Sequence, residues 1–238
     1  MACFMLQKEG TKLLASAMRK SSLAIVASFL ALGASAFPAR AQQPVTLTGV
    51  NGAYAHGVYI GPYFGSTPGL PTLDLICDDY LHEVNVGDTW TANFTNVANG
   101  VVGGSLLGQT RWGQVYGSGA VSGYLKAIWL AKQLYTHPTT DWAGIHSAIW
   151  NLFTPGTPNW SESTTWLAQA AAAEQAGLTN ADDLKYWYVV TDVTTQNGEY
   201  GKQEYLTYVT PEPATLILLG TGVAALLFFT GFVRRTVA

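Results

Sequence analysis

The chain has 238 residues, 48% of them hydrophobic and only 11% charged, with 12 Lys+Arg against 15 Asp+Glu. A soluble domain ordinarily carries about 25% charged residues, while a disordered chain couples low hydrophobicity to high net charge. This balance argues against disorder and against a nucleic-acid binder. Long apolar runs occur only at the two ends, which argues against a polytopic transporter.

At the N-terminus, Arg19 and Lys20 precede the uncharged 14-residue stretch Leu23 to Ala36. Ala34-Ser35-Ala36 and Ala39-Arg40-Ala41 place small residues at the spacing that signal peptidase accepts. A basic start, a short apolar run and a small-x-small end predict a secretory signal peptide over 1–41. The run falls short of the roughly 20 residues that a membrane span needs. Met18-Arg19-Lys20 makes a compact signal start and points to initiation at Met18.

Residues 42–210 read as one exported domain. Val45 to Phe64, rich in Val, Thr, Tyr and Ile and broken by Gly, predicts one or two strands. Gly65 to Pro71 reads as a loop, and Thr72 to Val86 as a strand through Leu75-Ile76-Cys77 with acidic character after it. Thr89 to Val97 alternates with Trp90, Ala92 and Phe94 on one face. Asn99 to Gly119 is Gly-rich and reads as a loop with room for a short helix. The period then changes. Leu125, Ile128, Trp129, Leu130 and Leu134 predict a helix over Ser122 to Thr136, which Pro138 ends. Asp141 is placed to cap a second helix with Trp142, Ile145, Ile149, Leu152 and Phe153 on one face. Glu162 to Gln175 predicts a third, stopped by Gly177. Tyr186 to Val193 reads as a strand, Asn197-Gly198 as a turn and Gln203 to Val209 as the returning strand of a hairpin. The expected fold is α+β, an antiparallel sheet or partial barrel with about three inserted helices, plus one C-terminal transmembrane helix.

That last element is Ala214 to Val233, 20 residues with 14 apolar, three Gly, three Thr and no charge. As a helix it would be about 30 Å long, the thickness of the hydrocarbon core. Arg234 and Arg235 follow at once and act as a membrane stop, holding that end in the cytoplasm and the domain outside. Before the span stands Pro211-Glu212-Pro213, which favours extended backbone at the membrane surface. Pro-Glu-Pro, an apolar span and a terminal arginine pair, in that order over 211–238, resemble the PEP-CTERM sorting signal of bacterial exosortase substrates. The resemblance implies recognition by a membrane-embedded exosortase at Pro211, Glu212 and Pro213. It also implies delivery to the envelope surface, commonly beside exopolysaccharide.

Without leader and tail, residues 42–213 hold five basic residues (Arg111, Lys126, Lys132, Lys185, Lys202) against 14 acidic ones, a formal charge of −9. A basic patch has almost nothing to be built from, so nucleic acid is not an expected partner and neutral glycans remain compatible. Cys3 leaves with the leader, so Cys77 stands alone and no intrachain disulfide is available.

Two hexapeptides carry the candidate chemistry: Leu75-Ile76-Cys77-Asp78-Asp79-Tyr80 on a strand and Ile145-His146-Ser147-Ala148-Ile149-Trp150 in a helix. Together they resemble the half-motifs of thioester domains in bacterial surface adhesins, in which a strand Cys and a helix Gln form an internal thioester. Cys77 matches the Cys, and Ala148, Ile149 and Trp150 match the downstream part. His146 occupies the Gln position, and imidazole cannot form that acyl bond. The same residues offer a thiolate–imidazolium pair, Cys77 with His146, the ring oriented by Asp78 or Asp79. Packing is the simpler role for a lone Cys between apolar residues, and a hydrogen-bonded structural role for a helix His.

The acidic run Asp74, Asp78, Asp79, Glu83 and Asp88 lacks EF-hand spacing, and His56, His82 and His137 lack metal-ligand spacing, so neither metal nor cofactor is expected. Tyr54, Tyr59, Tyr63 and Tyr80 serve either as core and strand-pairing residues or as a sugar-stacking platform. The sequence reading is a non-enzymatic binding or structural module, exported, membrane-anchored and sorted by exosortase. The alternative is a thioester-like adhesin or thiol enzyme using Cys77 and His146.

Overall fold

A computed structural model describes residues 42–177 and 184–209, together with Gly222. The two stretches belong to a compact unit, Ala39–Thr210. Apart from Gly222, the signal peptide expected over 1–41, the sorting signal over 211–238 and the span over 214–233 lie outside the described residues. Among the described residues no helix is long and apolar enough to cross a membrane.

The chain order is β1 (Gln42–Val50), a small hairpin of β2 (Tyr54–Ala55) and β3 (Val58–Tyr59), then β4 (Tyr63–Thr67), β5 (Leu70–Cys77) and β6 (Thr89–Asn96). Four helices follow: α1 (Arg111–Tyr116), α2 (Ala120–Thr136), α3 (Trp142–Phe153) and α4 (Ser163–Gln175). The chain returns through β7 (Trp187–Asp192) and β8 (Tyr205–Tyr208). Six strands close an antiparallel barrel in the order β1-β4-β5-β8-β7-β6. The expected mixed fold is present, but the sheet is a closed barrel and the helices number four among the described residues. Closure comes from β1, which pairs along one edge with β4 (Thr46↔Ser66, Leu47↔Gly65) and along the other with β6 (Val45↔Trp90, Thr46↔Thr89). Strand β8 inserts between β5 and β7, so the final hairpin completes the ring.

Two local expectations are corrected and a third is made specific. The stretch Gly65 to Pro71 is not a loop, because β4 and β5 run to a tight turn with Thr67 paired to Leu70. Gly69 supplies the positive φ that this turn requires, at 86°. Asp141 makes no side-chain cap bond; a short 3₁₀ turn, Thr139–Asp141, leads the chain into α3 instead. Between β6 and α2, the Gly-rich segment forms a one-turn π-helix (Val97–Val102), a 3₁₀ turn (Leu107–Gln109) and then α1. Six residues are too few to show helical periodicity or to persist alone. Thr110 starts α1 by accepting from the Gly113 N–H at 3.0 Å, and tertiary bonds to Arg111 hold it.

Strand alternation sorts the core. Ile76, Trp187, Val189 and Leu206 face the helices and join Tyr124, Ile128, Leu134, Ile145, Ile149 and Phe153 in one apolar cluster. Intervening strand residues, among them Val45, Leu47, Leu75, Phe94, Val190 and Tyr205, are buried outside that cluster and fill the barrel. The α2–α3 crossing is close because Gly123 faces Phe153. A Cβ built at 123 would lie 2.7 Å from Phe153 Cε1. That ring cannot swing away, since it stacks on Trp112 with centroids 5.3 Å apart and packs against Tyr124 at 5.0 Å.

Gly123→Ala should therefore destabilise the domain by about 1–3 kcal/mol of overpacking, which outweighs a helix-propensity gain of about 1 kcal/mol. At Gly119 the nearest atom to an added Cβ is Tyr116 Cβ at 3.9 Å, so Gly119→Ala should be neutral or stabilising. Urea unfolding of the two variants separates these outcomes.

Candidate functional site

The residues singled out for chemistry converge where the end of β5 meets α3. Cys77 closes β5 and is wholly buried. Its thiol donates to the Asp79 carbonyl (3.1 Å) and its sulfur accepts from Trp150 Nε1–H (3.4 Å). Burial, reinforced by the Asp79 charge, pushes the thiol well above its ordinary range, so the group stays protonated.

His146, one helical turn before Trp150, is also buried and stacks on that indole with centroids 4.5 Å apart. Its Nδ1 accepts from the Gly61 N–H at 2.7 Å. A nitrogen that accepts carries no proton, so Nε2 is the protonated one and donates to the Cys77 carbonyl at 2.9 Å. Burial lowers the imidazole to about 4, which keeps this neutral tautomer across the physiological range. Gly61 has φ 84°, and an added Cβ would meet Trp142 Cε3 at 2.4 Å, so only glycine lets this N–H approach the ring. The structure thus brings Cys77 and His146 together, but through the backbone. Both ring nitrogens bond backbone groups, and the thiol has its own two partners.

Asp78, the third candidate, leads into a neighbouring polar cluster. Arg111, at the start of α1, has no solvent exposure. Its Nε lies 2.9 Å from Asp79 Oδ2, an ionic contact too bent for a hydrogen bond. Its Nη1 donates to the Gly198 carbonyl, and Nη2 donates to the Tyr200 and Lys202 carbonyls, both at 2.9 Å. His82 Nε2 sits 3.2 Å from Nη1, and His82 Nδ1 sits 2.9 Å from Asp79 Oδ2. Because guanidinium only donates, His82 accepts from Arg111 through Nε2 and donates to Asp79 through Nδ1.

Glu204, just ahead of β8, completes the cluster. Its Oε2 accepts from the Arg111 backbone N–H (2.6 Å) and from Thr191 Oγ1–H, and its Oε1 accepts from Tyr124 O–H (2.6 Å). These donors favour the carboxylate, yet burial dominates and raises the group to about 7. Both Asp78 oxygens are buried without a hydrogen-bond partner among the described residues. Burial first, then the charges of Glu204 and Asp79, push Asp78 well above the carboxylate range. The neutral acid is the form that tolerates such a site. The cluster therefore holds Arg111 and Asp79 as ions, Glu204 as the acceptor of three donors and Asp78 as the proton holder.

Arg111 entered the sequence reading only as one of the five basic residues of 42–213. Nothing local marked Glu204 or Tyr124, which meet only through the fold. The other sequence candidates disperse. Asp88 pairs with Lys202 (2.6 Å), and Asp74 accepts from Tyr135. No group of three or more metal-type ligands forms among the described residues. The four tyrosines split: Tyr54 and Tyr59 form an exposed edge-to-face pair on the β2–β3 hairpin, Tyr63 is buried, and Tyr80 packs on Trp150 at 4.9 Å.

Residues 209–235 match the family described as the PEP-CTERM protein-sorting motif. The motif begins one residue after β8 ends, so the signal follows directly on the strand that closes the barrel. The match supports a PEP-CTERM protein, and the signal implies an exosortase-sorted surface protein that is exported and membrane-associated. Searches of curated proteins and of solved structures found no match to the chain.

Two predictions follow from the burial of these groups. Arg111→Ala leaves Asp79 buried without its counter-charge and should cost about 3–5 kcal/mol in urea unfolding. The pH dependence has a definite sign. Glu204 is raised above its unfolded value of 4.5, so its contribution is complete below pH 4.5 and lost as pH rises through 7. Asp78 is raised in the same sense and carries the loss further up. His146 is lowered from 6.5, so its contribution is complete above 6.5 and lost as pH falls toward 4. Of these three groups only the two carboxyls still lose stability above pH 6.5, so stability should fall there. Glu204→Gln should flatten the part of that fall lying below about pH 7; an unchanged slope in pH-resolved urea titrations would refute the assignment.

Proposed function

We propose that the chain is an envelope protein whose barrel–helix domain is a non-enzymatic binding or structural module. In this reading the signal peptide over 1–41 exports the domain. The segment 214–233 holds it in the cytoplasmic membrane, and Arg234 and Arg235 keep the tail on the cytoplasmic side. Exosortase then acts at Pro211-Glu212-Pro213 and releases the domain to the cell surface or the extracellular matrix.

The sorting motif at 209–235 is the observation that carries the reading. The non-enzymatic part is supported by how the reactive groups are engaged. Cys77 is a protonated thiol bonded at its sulfur on both sides. His146 is a neutral imidazole with both nitrogens on backbone groups. Arg111 and Glu204 hold three segments of chain together and have no solvent exposure. The formal charge of −9 over residues 42–213 suits a neutral glycan of the matrix better than an acidic one.

Deleting the host exosortase should leave the full-length chain unprocessed in the membrane fraction, and removing 211–238 should abolish sorting. Unchanged processing and location in either case would overturn the sorting route. For the module itself, Cys77→Ala at the native position should leave surface display and matrix retention intact. Loss of retention by a variant that still unfolds cooperatively would return Cys77 to a chemical role.

A further inference from the structure

The barrel has two unlike ends. At one of them β7 begins and β8 finishes, and this is where the chain leaves for the sorting signal. The Val209 N–H donates to the Tyr186 carbonyl at 2.9 Å, so barrel hydrogen bonding persists to the residue before Thr210. Tyr208 is 41% exposed, with its ring edge-on to Trp187 (5.4 Å) and Tyr186 (5.9 Å). Lys185 places its ammonium 5.1 Å from the centre of the Tyr186 ring. Thr207 bonds the Asp74 carbonyl, and Tyr135, at the end of α2 and 50% exposed, donates to the Asp74 carboxylate. Lys132 stands one helical turn before Tyr135. Three tyrosines and two of the domain's five basic residues thus gather round the exit strand, with Asp74 capped by a tyrosine hydroxyl.

Rings with a polar tip beside long-stemmed cations are the residue types that settle at a lipid headgroup layer. We infer that this end of the barrel, formed by Tyr135, Tyr186, Tyr208, Lys132 and Lys185, docks on the headgroups of the bilayer that holds the sorting signal before exosortase acts. Chain length argues for that occupant. Only four residues, 210–213, separate Val209 from the uncharged stretch that starts at Ala214. Extended, five residue steps reach about 17 Å at most, and about 5–8 Å of that lies within the headgroup layer itself. A tether this short keeps the β8 exit near lipid whatever the domain's orientation. Tyrosine rings and ammonium groups there gain contact that acidic residues would not. Each lysine near an anionic surface adds attraction on the order of fivefold in partitioning.

The inference rests on the reading of 214–233 as a membrane anchor, and the experiment separates the two. The whole chain is reconstituted into vesicles containing an anionic phospholipid, with a photo-crosslinking amino acid placed singly at Tyr208, Tyr135 or Tyr200. Tyr200 is the control: it is 73% exposed and lies in the loop after β7, at the other end of the barrel. Lipid adducts should form at 208 and 135 at least about fivefold above 200, the attraction of a single interfacial lysine. Lys132→Glu with Lys185→Glu, in a chain that still melts cooperatively, should bring 208 down toward the control. A chain that fails to float with the vesicles overturns the anchor and the docking together. A chain that floats but labels 135 no more than 200, or whose labelling at 208 is unchanged in the double lysine variant, overturns the docking surface alone.

Discussion

Arg111 is a full charge with no access to water, in a domain with only five basic residues. An isolated buried ion costs several kcal/mol, and most of the surrounding architecture answers that demand. Asp79 supplies the counter-charge, and the carbonyls of Gly198, Tyr200 and Lys202 satisfy the guanidinium fork. The fork's planar set of donors needs acceptors from several directions, so the long β7–β8 connection folds back over α1. The Arg111 backbone N–H is used as well, ending on Glu204. Three segments distant in sequence, the end of β5, the start of α1 and the approach to β8, are thereby tied at one point. This seam joins the inserted helices to the barrel.

The seam also bears on how an exported domain holds together without a disulfide. Cys77 has no second described cysteine to pair with, although the compartment would permit a bridge. Long-range fastening falls to buried ionic and hydrogen-bonded contacts instead. Such contacts are specific in geometry but sensitive to protonation, because several carboxyl groups share one confined volume. Cys77, His146 and Trp150 form the apolar counterpart beside it. Each polar atom of that trio has a partner, and the His146 tautomer is set by the Gly61 N–H, 85 residues away in the chain. Residues that resemble reaction machinery in sequence link a strand to a helix here.

The elements were legible where their periodicity was long. The period-two pattern of Trp90, Ala92 and Phe94 and the helical spacing of Leu125, Ile128 and Leu134 mark β6 and α2 because each has one buried face. The Asn197-Gly198 turn and the hairpin of β7 with β8 were equally visible, since both turn residues need positive φ and take it, at 53° and 82°. The β4–β5 turn was hidden because Gly65, Ser66 and Thr67 look like loop residues. Gly65 is there for room, not flexibility: an added Cβ would lie 2.5 Å from Leu75 Cδ1. Helix α1 was legible only as room for a short helix in a Gly-rich loop, because its stability comes from tertiary contacts and not from its own pattern. Of the site, Cys77 and His146 were readable as a pair of motifs, whereas Glu204 and Tyr124 left no local trace.

Residue chemistry along the chain was enough to determine the sorting signal, the acidic charge of the domain and the order of strands, then helices, then strands. Each of these depends on neighbours within one segment. Closure of the barrel, the burial of Arg111 and the neutral state of His146 were decided only by tertiary structure. Closure requires β1 to find partners on both edges, and the charge states depend on desolvation and on donors contributed from distant segments. Those are properties of the folded interior, and a sequence window holds neither the low-dielectric surroundings nor the partner that makes a proton stay or leave.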